Sequence, residues 1–472
     1  MGVLIDQEKN YSANFGGVYR SSAIFYKPKN ISCTLSISNY WKFKNNFNVI
    51  LLCSYRAMDG KLISRKEYSF QNSNVLNISI EKIDEGSIEV EAFSNINLRI
   101  PYAAVMALYE TKNSVSMVHS YSRNHSLIEL ENNTSITEGR ESCWTVRSSK
   151  SITNSAIFHN GHLEVKKQNA KLILTNIEGA DKEVTFTIQK LSPFETIVFD
   201  LNEISPNFRE HLLYKDGWAT IHFNNHSSFT RMLITWFDKE NLDYQVTHSN
   251  FDYSNHKTNF IKSKIPAYMK IPTFESNIPL TAVVYPKYSK GNYYLKLGGK
   301  NKYFDSGLFI NLNEKEDKSI AFSREDGDLP SRLVTGIIGN TRSNKLPFEC
   351  SISAFHQKRP SKRFHWLLVS KRLNSKIYVT DYRELYNDDI NEKVIFSLSL
   401  YNPFNKNTYK KDVSFAKLDS VDKVLYPEKI FGTAFNDLKD ELGYVGVFSN
   451  YSGFTLYSSI EKNTSVSLEH SF

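Results

Sequence analysis

At 472 residues, with 40% hydrophobic and 13% aromatic residues but only 20 Gly and 13 Pro, the chain is too long for one ordinary domain and too rich in core-forming side chains for long disorder. Its 58 basic and 50 acidic residues leave a formal charge of +8, which permits an anionic partner without demanding one. No nucleic-acid motif accompanies that excess, so nucleic acid is not expected as a partner.

In chain order, the first segment, MGVLIDQEKNYSANFGG, has neither a basic n-region nor an apolar h-region, and no later run approaches the ~18 apolar residues of a membrane helix. The expectation is a chain with no classical signal peptide and no membrane span, cytoplasmic, particle-associated or exported by another route. From Ser22, the segments SSAIFYK, ISCTLSIS and NVILLCSYR combine alternation with β-branching and predict strands. Tyr40 and Trp41 fall in a polar, basic turn between two of them and are candidate platforms for stacking a sugar ring. Met58-Asp59-Gly60-Lys61 predicts a type I′ hairpin, because Asp-Gly supplies positive φ.

Gly86 to Arg123 is the stretch around which the rest is arranged. Apolar residues alternate at Ile88, Val90 and Ala92, and two further apolar runs follow, joined by a polar turn at 109–114, which reads as one strand and then a hairpin. The same grammar returns from Gly217, from Phe348 and from Gly443, and the first three starts are spaced by 131 residues. Equal spacing of this kind marks tandem units. The predicted fold class is therefore all-β, an array of about four related antiparallel β-sandwiches with the last one shortened.

The expected units are residues 1–124, 125–256, 257–388 and 389–472. The second opens with a Ser/Thr/Asn-rich connector interrupted by Cys143, Trp144 and Val146, with Trp144 a candidate plug between units or a binding aromatic. The third carries NEKEDKSIAFSREDGDLPSRL, which reads as an irregular surface insertion, and then the densest basic run, Lys358, Arg359, Lys362 and Arg363. That run reads first as a solvated hairpin and strand edge and second as a patch for an acidic glycan or nucleic acid. For the fourth unit two alternatives stand: residues 364–385 supply its opening strands, or its last sheet has an open edge on which another copy could dock.

Chemistry is sparse. His119-Ser120, His248-Ser249 and His470-Ser471 recur at one position of the repeat, with Asp381-Tyr382 in the third copy. Metal ligation or general base chemistry would need them together, and repetition separates them unless the units close a ring. Glu89 and Glu91 share one face of a strand, where solvated positions are the simpler reading than a hydrolase pair. Four cysteines, at 33, 53, 143 and 350, make no CxxC pair and read as reduced thiols, although a Cys33 to Cys53 bridge is conceivable. No GxSxG elbow, HExxH or phosphate loop occurs. No catalytic residue, metal or cofactor is expected. The sequence points to a non-catalytic protein for surface binding or assembly, with glycan as ligand. A structural subunit of a viral particle or filament, and a polysaccharide-acting enzyme with a site between units, are its alternatives.

Overall fold

The computed structural model describes residues 19–471, apart from 72, 82, 97, 99–102, 121–140, 225–230, 251–259, 262–265, 275–277, 286–290, 313–318, 328, 331–332, 340–345, 355–362, 384, 386–392, 405, 416–422 and 464. The chain is all-β, as the alternation predicts. The first unit holds β1 (Tyr19–Lys27), β2 (Ser32–Ser38), β3 (Ile50–Arg56), β4 (Leu62–Tyr68), β5 (Val75–Ser79), β6 (Gly86–Ser94), β7 (Val105–Glu110) and β8 (Val115–His119). The second holds β9 (Glu141–Val146), β10 (Ile152–His159), β11 (Gln168–Thr175), β12 (Asp181–Ile188), β13 (Thr196–Asp200), β14 (Gly217–His222), β15 (Leu233–Asp238) and β16 (Asp243–His248). After β17 (Phe260–Ile261) the third holds β18 (Ala267–Lys270), β19 (Leu280–Val284), β20 (Tyr293–Leu297), β21 (Lys300–Phe304), β22 (Leu308–Leu312), β23 (Ser319–Arg324), the short β24 (Leu329–Pro330), β25 (Val334–Gly339) and β26 (Phe348–Ser353). The fourth holds β27 (Phe364–Ser370), β28 (Lys376–Asp381), β29 (Val394–Tyr401), β30 (Thr408–Phe415), β31 (Lys423–Leu425), β32 (Leu442–Ser449), β33 (Phe454–Lys462) and β34 (Ser465–His470).

One permutation recurs four times. The sheet orders are β1-β6-β3-β4 with β5-β2-β7-β8, β12-β11-β14-β9 with β13-β10-β15-β16, β18-β23-β20-β21 with β22-β19-β25-β26, and β27-β32-β29-β30 with β31-β28-β33-β34. Each pair of sheets encloses apolar side chains from both faces, as a sandwich must. In the second unit Ala156, Leu172, Ile221 and Ile234 are fully buried, and in the fourth Phe396, Leu398, Val445 and Leu456 are.

Several sequence expectations shift in register. Residues 364–381 pair with the last unit, β27 with β32 and β28 with β33, so the fourth unit has two four-stranded sheets like its neighbours, and the boundary drawn at 388/389 falls after its first two strands. The copy placed at Phe348 is a final strand followed by those two opening strands. Period-two alternation is the same for every half-buried strand, so β26 with β27 and β28 imitates a strand with a hairpin. The polar turn at 371–374 is a crossover between sheets. The true third counterpart of Gly86 is β23, which lies within the stretch read as an insertion. The connector read before the second unit likewise contains β9.

Turn chemistry is also more specific than Asp-Gly implied. Of the two residues only Gly60 has positive φ, at 83°, and the ladder shifts register at Tyr55/Arg56. This is a type I turn closed by a left-handed residue and a bulge, not a type I′ turn. An added Cβ on Gly60 would stand 2.4 Å from the Pro193 carbonyl oxygen, so the turn docks on the second unit only because it has no side chain there.

The units close into a ring. Tyr109 meets Tyr244 at 5.5 Å between the first and second, and Trp218 stacks on Tyr285 and Phe309 at 5.2 and 4.6 Å between the second and third. Phe274 meets Tyr378 at 4.5 Å between the third and fourth, and the Tyr444 hydroxyl donates to the Ser36 carbonyl at 2.7 Å between the fourth and first. Around the central axis the edge strands β8, β16, β26 and β34 each touch two of the others. The edge of the last sheet is therefore not open. All four cysteines are buried free thiols. Among the described residues no helix is long and apolar enough to cross a membrane.

Candidate functional site

A cleft of about 920 Å³ opens between the first and fourth units. Its floor follows from strand parity. Leu367, Leu398 and Val447 point into the fourth core, so Phe364, Ser397 and Phe448, each an odd number of residues away along its strand, face outward. The ladder sets Phe364 opposite Phe448, Phe448 opposite Ser397 and Ser397 opposite Asp412, a single row across four strands. The adjacent row runs Trp366, Gly446, Ser399 and Lys410. Phe448 is 52% exposed, a large apolar face turned to solvent within this floor.

The wall is the helix α1 (Tyr40–Asn45), which ends at Asn46 in the left-handed conformation. From it Phe43 stacks on Tyr401 with centroids 3.5 Å apart. Lys44 reaches back to donate from Nζ to the Tyr40 hydroxyl at 2.7 Å. Burial pushes the Tyr40 phenol up to about 12, so it remains a neutral partner for that ammonium. Arg363, Lys410 and Lys411 complete the lining, and Asp412 is the one carboxylate among its described residues.

The sequence-named aromatics are elsewhere than expected. Tyr40 and Trp41 are 5% and 0% exposed, because a helical turn takes the place of the predicted loop and carries both rings inward. Tyr40 packs against Phe364 and Trp366, and Trp41 Nε1 donates to the Leu98 carbonyl at 3.3 Å. Trp144 is buried in the core of the second unit. None of the three presents a sugar-stacking face; Tyr40 acts on the cleft by holding Lys44 and by packing under Phe364. Of the basic run, Arg363 lines the cleft, while Lys358, Arg359 and Lys362 lie outside the described residues. Sequence reasoning missed Phe364 and Phe448. The signal was available in Phe448, an aromatic one residue beyond the inward Val445 and Val447.

Two further groups of polar residues depart from expectation. Glu89 and Glu91 are both 1% exposed, not solvated. Arg20 donates to each, from Nη2 at 2.6 Å and Nε at 2.7 Å, and burial together with the second carboxylate holds Glu89 above the usual range. Secondly, ring closure brings the repeated histidines together. The rings of His119 and His248 lie 4.5 Å apart and those of His119 and His470 5.1 Å apart. Asp381, taken as their counterpart in the third copy, belongs instead to β28 and pairs with Arg383 at 2.6 Å.

The axial strands meet through serine. Ser114 Oγ accepts from Tyr244 N at 2.9 Å and Ser116 Oγ accepts from Val246 N at 2.9 Å, while Ser465 and Ser467 accept from Val115 N and Met117 N at 3.2 and 2.9 Å. Each hydroxyl thus satisfies an edge amide that a backbone carbonyl would satisfy inside a sheet. The near-identical SVSMVHS and SVSLEHS at residues 114–120 and 465–471 are the sequence signature of this arrangement.

No protein-family model matches the chain, and no curated protein matches it.

Proposed function

We propose that this is a non-catalytic binding protein whose ligand is an anionic carbohydrate held in the cleft between α1 and the outer face of the fourth unit. The observation that carries this reading is one wall chemistry: the exposed ring of Phe448 beside Phe364, flanked by Lys44, Arg363, Lys410 and Lys411 against Asp412, the one carboxylate of the described lining. Aromatic faces stack on the apolar faces of pyranose rings, and cations select sulfate or carboxylate substituents. Ser397 and Ser399 on the floor offer hydroxyls to a sugar. A volume of about 920 Å³ is within the ~300–1,000 Å³ usual for ligand clefts.

Glycosidase chemistry in its common form requires two carboxylates about 5–10 Å apart, and the described lining offers one. This favours binding over hydrolysis. Calorimetry against sulfated and uronic-acid oligosaccharides tests the reading. Saturable binding that weakens with salt, and falls about tenfold in Phe448→Ala, is the expected result, equivalent to ~1.4 kcal/mol. Silence toward acidic oligosaccharides, or equal binding of neutral ones with no salt dependence, would sink it.

A further inference from the structure

We propose that His119, His248 and His470 form a binding site for a zinc-class divalent cation on the axis where the four units meet. The three residues come from β8, β16 and β34, edge strands of the first, second and fourth units, and the third unit contributes β26, whose sequence FECSIS holds no histidine. One ligand atom from each imidazole lies within 4.8 Å of the others. Zinc holds nitrogen donors at about 2.0–2.1 Å, which puts donors no more than ~4 Å apart, so side-chain rotation of under about an ångström gathers all three on one ion.

The rings are prepared for that geometry by local hydrogen bonds. His248 Nδ1 donates to the carbonyl of Ser249 at 3.0 Å, and His470 Nδ1 to the carbonyl of Ser471 at 3.1 Å. A proton fixed on Nδ1 leaves Nε2 as the lone-pair donor, the arrangement in which metal-bound histidines are ordinarily held. In the second and fourth units the His-Ser pair thus supplies both the ligand and the carbonyl that orients it, whereas His119 Nδ1 faces Glu469. His248 Nε2 is buried with no hydrogen-bond partner among the described residues. A lone pair kept dry in this way is costly unless something occupies it.

Charge bears on the site with both signs. The Arg231 guanidinium acts electrostatically on His248. Glu469 Oε1 lies 3.2 Å from His119 Nδ1 and 3.7 Å from His470 Nε2, so a carboxylate is at hand to offset the charge of the ion. Arg231 opposes a cation and Glu469 favours one. Neutral imidazole ligands suit zinc, copper, nickel and iron rather than calcium or magnesium. An ion here would join three of the four units, a clasp on the ring and independent of ligand binding in the cleft.

The test uses the full chain after dialysis against a chelator, its fold checked by circular dichroism. Zinc chloride is titrated by calorimetry and cobalt chloride by visible absorption. One ion per chain, a cobalt spectrum of imidazole coordination and a raised unfolding temperature are expected. His248→Gln should abolish saturable binding, and Glu469→Gln should weaken it about 10–100-fold. Absence of saturable binding in the folded wild-type chain, or binding that His248→Gln leaves unchanged, overturns the proposal. Should the variant fail to fold, nitrogen-15 spectra of the wild-type histidines decide. Zinc must shift the Nε2 signals of His248 and His470, and unchanged signals overturn it too.

Discussion

Each sandwich has edges of two kinds, and they solve the same problem in opposite ways. The outer edge strands β4, β12, β21 and β30 read LISRKEY, DKEVTFTI, KNKYF and TYKKDVSF, and all are largely exposed or half-buried. Their charged side chains keep solvent on the unpaired backbone and discourage addition of another chain. The inner edge strands β8, β16 and β34 are buried; β8 and β34 carry Ser and His in those places and β16 carries Gln, Thr and His, and amides of β8 and β16 are satisfied by hydroxyls of the neighbouring unit. Edge strands of the two sheets thus either repel partners or recruit them. What differs is chiefly the polar set between the apolar residues, rich in Lys, Arg and Glu on the outer edges and in Ser, Thr, Gln and His on the inner ones.

The comparison breaks most decisively at the inner edge. Ser116→Ala with Ser467→Ala removes the acceptors of Val246 N and Met117 N in a buried place, and each orphaned amide costs ~1–3 kcal/mol. Urea unfolding should show the loss, which sums imperfectly because Ser116 lies on the strand that Ser467 contacts. An unchanged midpoint would mean that the serine contacts are incidental to ring closure.

A smaller effect contrasts the axial histidines with one away from the axis. His159 is buried beside Thr196 Oγ1 at 2.9 Å, and burial holds it down at about 3. It stays neutral in the fold while an unfolded imidazole takes a proton below ~6.5. Its stabilising contribution is therefore complete above pH ~6.5 and is lost as pH falls toward 3, with a slope of up to ~1.4 kcal/mol per pH unit. Comparing the acid limb of stability in the wild type with that in His159→Gln checks this; the variant should have the flatter limb.

Smaller again is the response of the cleft floor. Phe448→Ala truncates a half-exposed ring and should cost under ~1 kcal/mol of stability while reducing affinity for acidic oligosaccharide about tenfold. The smallest change is expected at the outer edge. Lys410→Thr with Lys411→Thr should alter stability by no more than ~0.5 kcal/mol, yet increase self-association at high concentration as seen by size-exclusion chromatography. A large loss of stability there would erase the distinction between the two kinds of edge.

What the sequence determined by itself is the local grammar. Alternation at Ile88, Val90 and Ala92 and its recurrence at 217 and 443 specify strands, sandwiches and repetition, because side-chain parity along a strand is a property of the residues alone. The same locality misled the reading at Phe348, where a last strand and the next unit's first two strands spell the pattern of a hairpin. It misled the reading of Tyr40 and Trp41 as well, since six residues of basic, aromatic sequence do not reveal that the turn is helical and buries both rings, Tyr40 against the fourth unit and Trp41 within the first. Only the tertiary structure decided that four edges face one axis, that His119, His248 and His470 meet there although up to 351 residues separate them, and that Phe43 and Phe448 share one cleft. Those contacts depend on how whole units dock, and docking is fixed by the summed shape and polarity of surfaces that no single segment encodes.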